Sequence, residues 1–153
     1  MKILVTGANG FLGSWITKSL LQQGHQVRIL ARASSDLSEL AGLTFEKSIG
    51  DITDLTSIKA ALKDIECVFH LAGVIGYQRH QRPLMEKVNI GGTKNIISAC
   101  QAHGIKNLVY LSSIVAIGAG LNPDQILNEN SIYNIKKLHL GYFDTKHEAE
   151  NLV

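Results

Sequence analysis

The segment Thr6-Gly7-Ala8-Asn9-Gly10-Phe11-Leu12-Gly13 carries three glycines, Gly7, Gly10 and Gly13, spaced G-x-x-G-x-x-G. Just before it, Lys2–Thr6 (KILVT) is a short apolar run rich in Ile and Val, the pattern of a buried strand. Just after it, Phe11–Gln23 places Leu12, Trp15, Ile16 and Leu20 at helical spacing, and Gly24 stands where such a helix would end. A strand that bends through glycines into a helix has a tight turn and no Cβ to block a close ligand. Its helix also opens with free N–H groups that favour an anion such as a pyrophosphate. The backbone of Gly7, Asn9, Gly10, Phe11, Leu12 and Gly13 is therefore the first candidate binding element.

Working outward, strands and helices alternate. Strands are predicted at Gln26–Ala31, Thr44–Ile49, Cys67–Ala72 and Asn107–Ser112. Between them, Thr53–Lys63 reads as a helix with Leu55, Ile58, Ala61 and Leu62 inward. Leu84–His103 reads as a longer helix interrupted at Gly91-Gly92 and closed by Gly104. Asn122–Asn130 reads as a loop, and a last helix begins before or at Tyr142 and runs to the end of the chain. Strands separated by helices predict an α/β fold, a doubly wound parallel sheet of three αβα layers. In such a sheet ligands bind at the carboxyl ends of the strands.

With 153 residues, the chain has the length of one domain. A hydrophobic share of 45% argues against disorder, and a net charge of +2 gives no argument for nucleic acid or a membrane surface. The apolar runs fall well short of the roughly 20 residues that cross a bilayer. The N-terminus does not read as a signal peptide, so a cytoplasmic location is expected. Cys67 and Cys100 lack metal-site or disulfide spacing and read as small core residues; no metal site is predicted.

The string TGANGFLG resembles the TGxxGxxG fingerprint of the extended short-chain dehydrogenases/reductases, and further segments extend that resemblance along the chain. Asp51-Ile52 after the third strand resembles the family's adenine-contacting pair, although an Asp turn or helix N-cap explains Asp51 equally well. His70-Leu71-Ala72-Gly73 resembles the HxAG segment that borders the cofactor ribose. His70 itself is expected to be a buried, hydrogen-bonded residue and not a base. Val88-Asn89-x-x-Gly92-Thr93 resembles VNxxGT, whose Asn supports the central helix and strand.

The second strand bears on the cofactor. An NAD site of this type places a carboxylate about 20 residues after the loop, on the ribose 2′-hydroxyl. Here the strand ends in Arg32, whose guanidinium suits a 2′-phosphate, so NADP(H) is expected over the alternative, NAD(H). Asp36 lies further out, beyond the strand end.

Proton exchange beside a hydride path can use a tyrosine with a lysine one helical turn on, which favours the phenolate. Y-x-x-x-K occurs at Tyr133/Lys137 and at Tyr142/Lys146. Gly141 interrupts any helix after the first pair. Tyr142, Lys146, Ala149 and Val153 make a continuous stripe, and the string resembles the family's YxxSKxxxE with Thr145 in place of Ser. Ser112-Ser113 with Gly118 resembles SSxxxxG. The resemblance implies that Ser113 positions the substrate oxygen, Tyr142 exchanges the proton, and Lys146 lowers the tyrosine pKa and contacts the nicotinamide ribose.

Within the family, the VRILARASSDLSEL stretch looks most like the dihydroflavonol-reductase-like branch. A reductase of carbonyls or dehydrogenase of alcohols is therefore expected, acting on a small-molecule carbonyl. The alternatives are a nucleoside-diphosphate-sugar epimerase or dehydratase and a non-catalytic dinucleotide sensor. Enzymes of this branch are about twice as long. The resemblance thus implies that residues 1–153 are the NAD(P)-binding Rossmann-like domain, with the C-terminal substrate lobe outside this chain. Apolar sheet surface left bare would favour self-association, for example as a homodimer.

Overall fold

The computed structural model describes all 153 residues. Five strands, β1 (Lys2–Thr6), β2 (Gln26–Ala31), β3 (Glu46–Ile49), β4 (Cys67–His70) and β5 (Asn107–Tyr110), form one sheet in the order β3-β2-β1-β4-β5. Every pairing is parallel. The order reverses between β1 and β4, where Thr6 lies beside His70. A crevice opens at such a reversal because the chains leaving the two strands diverge to opposite faces. The helices are α1 (Phe11–Gln22), α2 (Leu55–Ala61), α3 (Arg82–Met85), α4 (Thr93–Ala102) and α5 (Gly141–Glu150). No helix is long and apolar enough to cross a membrane.

Alternation along the strands splits the core into two layers. Leu4, Leu30 and Val68 face Ile58, Leu62, Ile96 and Ala99 of the α2–α4 side. Ile3, Val5, Val27 and Ile29 face Leu20 on the α1 side. Burial on both faces explains why these strands read as apolar runs with little polar alternation.

Several boundaries and faces differ from the sequence expectation. On α1 the buried residues are Gly13, Ser14, Thr17 and Leu20, whereas Leu12 and Trp15 are exposed. The reason is proximity: a Cβ on Gly13 would stand 2.0 Å from the Gly7 carbonyl oxygen, so only small residues fit where the helix starts. β3 starts at Glu46, α2 spans Leu55–Ala61, and β4 and β5 stop at His70 and Tyr110. Gly91-Gly92 does not break its helix. Residues Glu86–Gly92 wind as a π-helix that joins α3 to α4, and Gly92 packs directly on Ile52. Gly141 likewise opens α5 instead of ending a helix, and α5 stops at Glu150, so Val153 lies outside it and is exposed.

Candidate functional site

At the carboxyl end of β1 the chain turns through Gly7 with φ +72°, a conformation that favours glycine. A side chain there would also strike the Ala72 amide nitrogen at 2.6 Å. Gly7 and Gly13 thus pack backbone on backbone. Gly10 is different: its Cβ would meet only the Gly7 oxygen, at 3.4 Å, so its bare surface is left for something outside the fold. Gly10 is also the N-cap of α1, with no side-chain cap and no acidic residue in the first turn. The positive end of α1 is therefore neither capped nor neutralised from within the chain.

The loops after β1, β2, β3 and β4 enclose a cavity of about 330 Å³. Gly7, Asn9, Gly10, Arg32, Asp51, Ile52, Leu71, Ala72 and Gly73 line it, together with Ser35, Val74, Leu84 and Val88. Phe11, Leu12, Gly13 and Asn89 do not line it. The Phe11 ring is 84% exposed, so only its backbone lies at the helix start. Arg32 forms no ion pair within the chain, unlike Arg28, which is paired with Glu46 at 2.5 Å. Asp36 is engaged in its own turn, accepting from the Ser38 amide at 2.9 Å, which holds its carboxyl below the usual range. Asp51 makes the Asp turn: its Oδ1 accepts from the Thr53 amide at 2.8 Å and the Thr53 hydroxyl at 2.9 Å. The Thr53 amide bond is the main reason its pKa is lowered. The N-cap of α2 is Asp54, not Asp51.

One residue pair further along the α2–α4 face, the sheet changes character. Leu4, Val68 and Leu108 give way to Thr6, His70 and Tyr110. His70 is fully buried, with Nδ1 2.8 Å from the Thr6 hydroxyl and Nε2 3.1 Å from the Thr93 hydroxyl. The Thr93 hydroxyl donates to the Asn89 carbonyl, and the Thr6 hydroxyl accepts from the Ala72 amide. That assignment makes His70 a neutral imidazole that donates through Nε2. Burial, helped by the nearby Lys146 charge, pushes its pKa down to about 3. His70 is thus the hydrogen-bonded core residue expected, and no base at neutral pH. Asn89 is buried as well; its side chain accepts from the Val74 amide and donates to the Val74 carbonyl and the Thr145 hydroxyl. It ties the loop after β4 to α5.

Helix α5 docks on the end of β5. Lys146, 6% exposed, donates from Nζ to the Leu111 carbonyl at 2.5 Å and to the Tyr110 hydroxyl at 2.7 Å. His147 Nδ1 meets the Ala116 carbonyl at 2.8 Å, and Ser112 donates to Glu150. These bonds hold Lys146, His147 and Glu150 against residues 111–116, the segment leaving β5 that contains Ser113, and Tyr142 lies one turn before Lys146 on the same helix. Ser113 starts a short 3₁₀ turn (Ile114–Ile117), its Oγ 3.5 Å from the Val115 amide. Burial lowers the Lys146 pKa to about 8, with Glu150 opposing.

The rival pair separates. Tyr133 precedes any helix and Lys137 lies in a 3₁₀ turn (Lys136–Leu138). Tyr133 instead donates to Asp144 at 2.8 Å and stacks on His147 with centroids 4.2 Å apart. Arg82 bonds the other Asp144 oxygen at 2.9 Å. Sequence reasoning passed over Tyr110, Thr6 and Thr93, although strand alternation puts Tyr110 on the same face as His70. Cys67 and Cys100 are buried free thiols, and burial raises the Cys100 pKa to about 11, as suits core residues.

Known proteins share this fold. Residues 4–153 match the 3-beta hydroxysteroid dehydrogenase/isomerase family. A Synechocystis protein that takes its name from dihydroflavonol 4-reductase is 34% identical over 95% of this chain and 42% of its own length. The 2-alkyl-3-oxoalkanoate reductase of Stenotrophomonas maltophilia is 35% identical over 100% of this chain and 46% of its own. The crystal structure of Thermus thermophilus UDP-glucose 4-epimerase, in complex with NAD, superimposes with a TM-score of 0.87 at 26% identity, covering 99% of this chain and 49% of that one. The chain spans less than half the length of these relatives. From the glycine turn to α5, it belongs to the 3-beta hydroxysteroid dehydrogenase/isomerase family of the extended short-chain dehydrogenases/reductases.

Proposed function

We propose that residues 1–153 are the dinucleotide-binding portion of an NADP(H)-dependent oxidoreductase of dihydroflavonol-reductase-like type, interconverting a small-molecule carbonyl and its alcohol. The observation that carries this reading is the cavity at the strand-order reversal. It runs from the uncapped α1 start, past Ala72 and Gly73, to an unpaired Arg32. The residues fit a dinucleotide. Gly10 leaves bare backbone that would take a pyrophosphate, Asp51 and Ile52 would meet the adenine end, and Leu71 and Ala72 would border a ribose. Arg32 with Ser35 suits a 2′-phosphate, and Asp36 is committed to its own turn.

When bound, the nicotinamide supplies the hydride. The chain's own residues handle the proton and the orientation. Ser113 holds the substrate oxygen by hydrogen bond at the end of β5. Tyr142, in the first turn of α5, passes its phenolic proton to that oxygen in reduction and takes it back in oxidation. Lys146, one turn on, would favour the phenolate by its positive charge and would hold the nicotinamide ribose. Asn89 holds the loop beneath.

A second reading, a nucleoside-diphosphate-sugar epimerase or dehydratase using NAD, draws support from the close likeness to the epimerase fold; Arg32 weighs against it. A non-catalytic sensor is disfavoured by the Tyr142/Lys146 pair on one helix. Fluorescence titration separates the cofactors: NADPH is expected to bind at least about 10-fold more tightly than NADH, and tighter NADH binding rejects the assignment. In a preparation that reduces carbonyls with NADPH, Tyr142→Phe lowers kcat by about 100-fold or more with cofactor affinity unchanged. Retained turnover removes Tyr142 from its role.

A further inference from the structure

The Lys146 ammonium meets no side chain of the proposed catalytic set within hydrogen-bond range. Its two acceptors are the Tyr110 hydroxyl at 2.7 Å and the Leu111 carbonyl at 2.5 Å. It also stands 4.3 Å from the centroid of the Tyr110 ring. The oxygen carries the contact: at these two distances the ammonium lies beyond the hydroxyl and not above the ring face. Tyr110 is in turn wedged by its neighbours, its ring 5.7 Å from the buried His70 imidazole. His70 is itself clamped between Thr6 and Thr93. A long, flexible lysine is thus held by a short, rigid chain of contacts that begins at the strand-order reversal.

We infer that Tyr110 is a positioning residue for Lys146: its hydroxyl holds the ammonium at the end of β5. This rests on the reading of Lys146 given above for its functional meaning, but the pairing itself is a property of this chain. A lysine swinging freely on four methylenes would spend side-chain entropy each time it met a ribose or a phenolate; one held in place has already lost that freedom.

The groups that act on Lys146 are few. Burial disfavours its charge, and Glu150, one turn on along α5, favours it. From β4 faces His70, which is neutral, and from β5 faces Tyr110, whose own pKa is raised to about 12, chiefly by burial. Tyr110 is therefore uncharged across the neutral range, and its oxygen accepts from the ammonium and favours the charged lysine.

The test uses the 153-residue chain without cofactor, labelled at lysine Cε, with the Lys146 resonance assigned by its loss in Lys146→Arg. In the unmodified chain a nuclear Overhauser contact is expected between the Lys146 Hε protons and the Tyr110 ring protons; its absence overturns the proposal without any variant at position 110. In Tyr110→Phe the ring stays and the acceptor oxygen goes. The Lys146 titration midpoint is then expected to fall by about 0.5 pH unit or more. A folded variant whose midpoint stays or rises overturns the proposal. A separate arm measures NADPH affinity in Lys146→Met. Unchanged affinity there rejects the cofactor role of Lys146 and leaves the Tyr110 titration to stand or fall by itself.

Discussion

The two halves of the sheet's carboxyl edge are built differently. On the β1–β2–β3 side, three loops and the loop after β4 form a cavity around bare glycine backbone, and the only charged groups that line it are Arg32 and Asp51. On the β4–β5 side His70 at the end of β4 joins Thr93, Asn89 and Lys146 of the covering helices, and Thr6 of the neighbouring β1, in a buried polar layer saturated with hydrogen bonds. Beyond it β5 is an edge strand with Val109 and Leu111 exposed. The first half is a socket whose shape comes from missing atoms. The second is a scaffold whose precision comes from satisfied ones. Shape made by absence tolerates no added carbon, whereas a saturated network tolerates no lost partner.

The largest effect separates the two kinds of glycine. Gly13→Val sets side-chain atoms against the Gly7 carbonyl and is expected to cost about 3 kcal/mol or more in urea unfolding. Gly10→Ala, with a nearest approach of 3.4 Å, should leave stability nearly unchanged while abolishing measurable NADPH binding. Equal destabilisation by both would erase the distinction between packing and ligand glycines.

Next comes acid. Unfolded, His70 binds a proton below pH 6.5; folded, it does so only near pH 3. The unfolded chain therefore holds the extra proton between those values, and stability falls as pH drops through that window. The slope from this group is about 1.4 kcal/mol per pH unit at most. His70→Gln should flatten the profile from whatever lower stability it starts at; a profile of undiminished slope would show that other groups govern acid unfolding.

Smaller again, Arg32→Ala is expected to weaken NADPH by about 10-fold and NADH by less than about 2-fold. Equal loss for both would make Arg32 a general surface charge. Smallest in stability is Val109→Lys on the bare edge, within about 0.5 kcal/mol by denaturation. It should nevertheless lower self-association in sedimentation if the exposed β5 surface drives it; an unchanged sedimentation profile locates any association elsewhere.

The sequence was most readable where physics leaves few choices. KILVT followed by three spaced glycines announced β1, its turn and α1, and of the loop residues named there Gly7, Asn9 and Gly10 line the cavity. Arg32 and Asp51 were found because they follow strand ends. What stayed hidden depends on partners far along the chain. Trp15 fits a helical apolar stripe, yet the approach of Gly13 to Gly7 rotates small residues inward and leaves Trp15 outside. Gly141 looked like a breaker because no local signal tells a helix's first residue from an interior one. Tyr133 matched a catalytic spacing while serving Asp144 and His147, and only the fold shows that. The roles proposed for Ser113, Tyr142 and Lys146 come from the motif, and the fold adds that Lys146 docks on the end of β5.

The widened coil at Glu86–Gly92 has its own consequence for how this stretch can change over time. Upstream of its last turns Asn89 must aim at the Val74 loop; downstream Ile96 and Ala99 must aim at the sheet. Helical winding advances by a set angle per residue, about 100° in an α-helix, so the number of residues between the two sets fixes their relative direction. Shortening this stretch by a single residue would swing one set of side chains out of phase by that angle. Length here is under stricter control than composition.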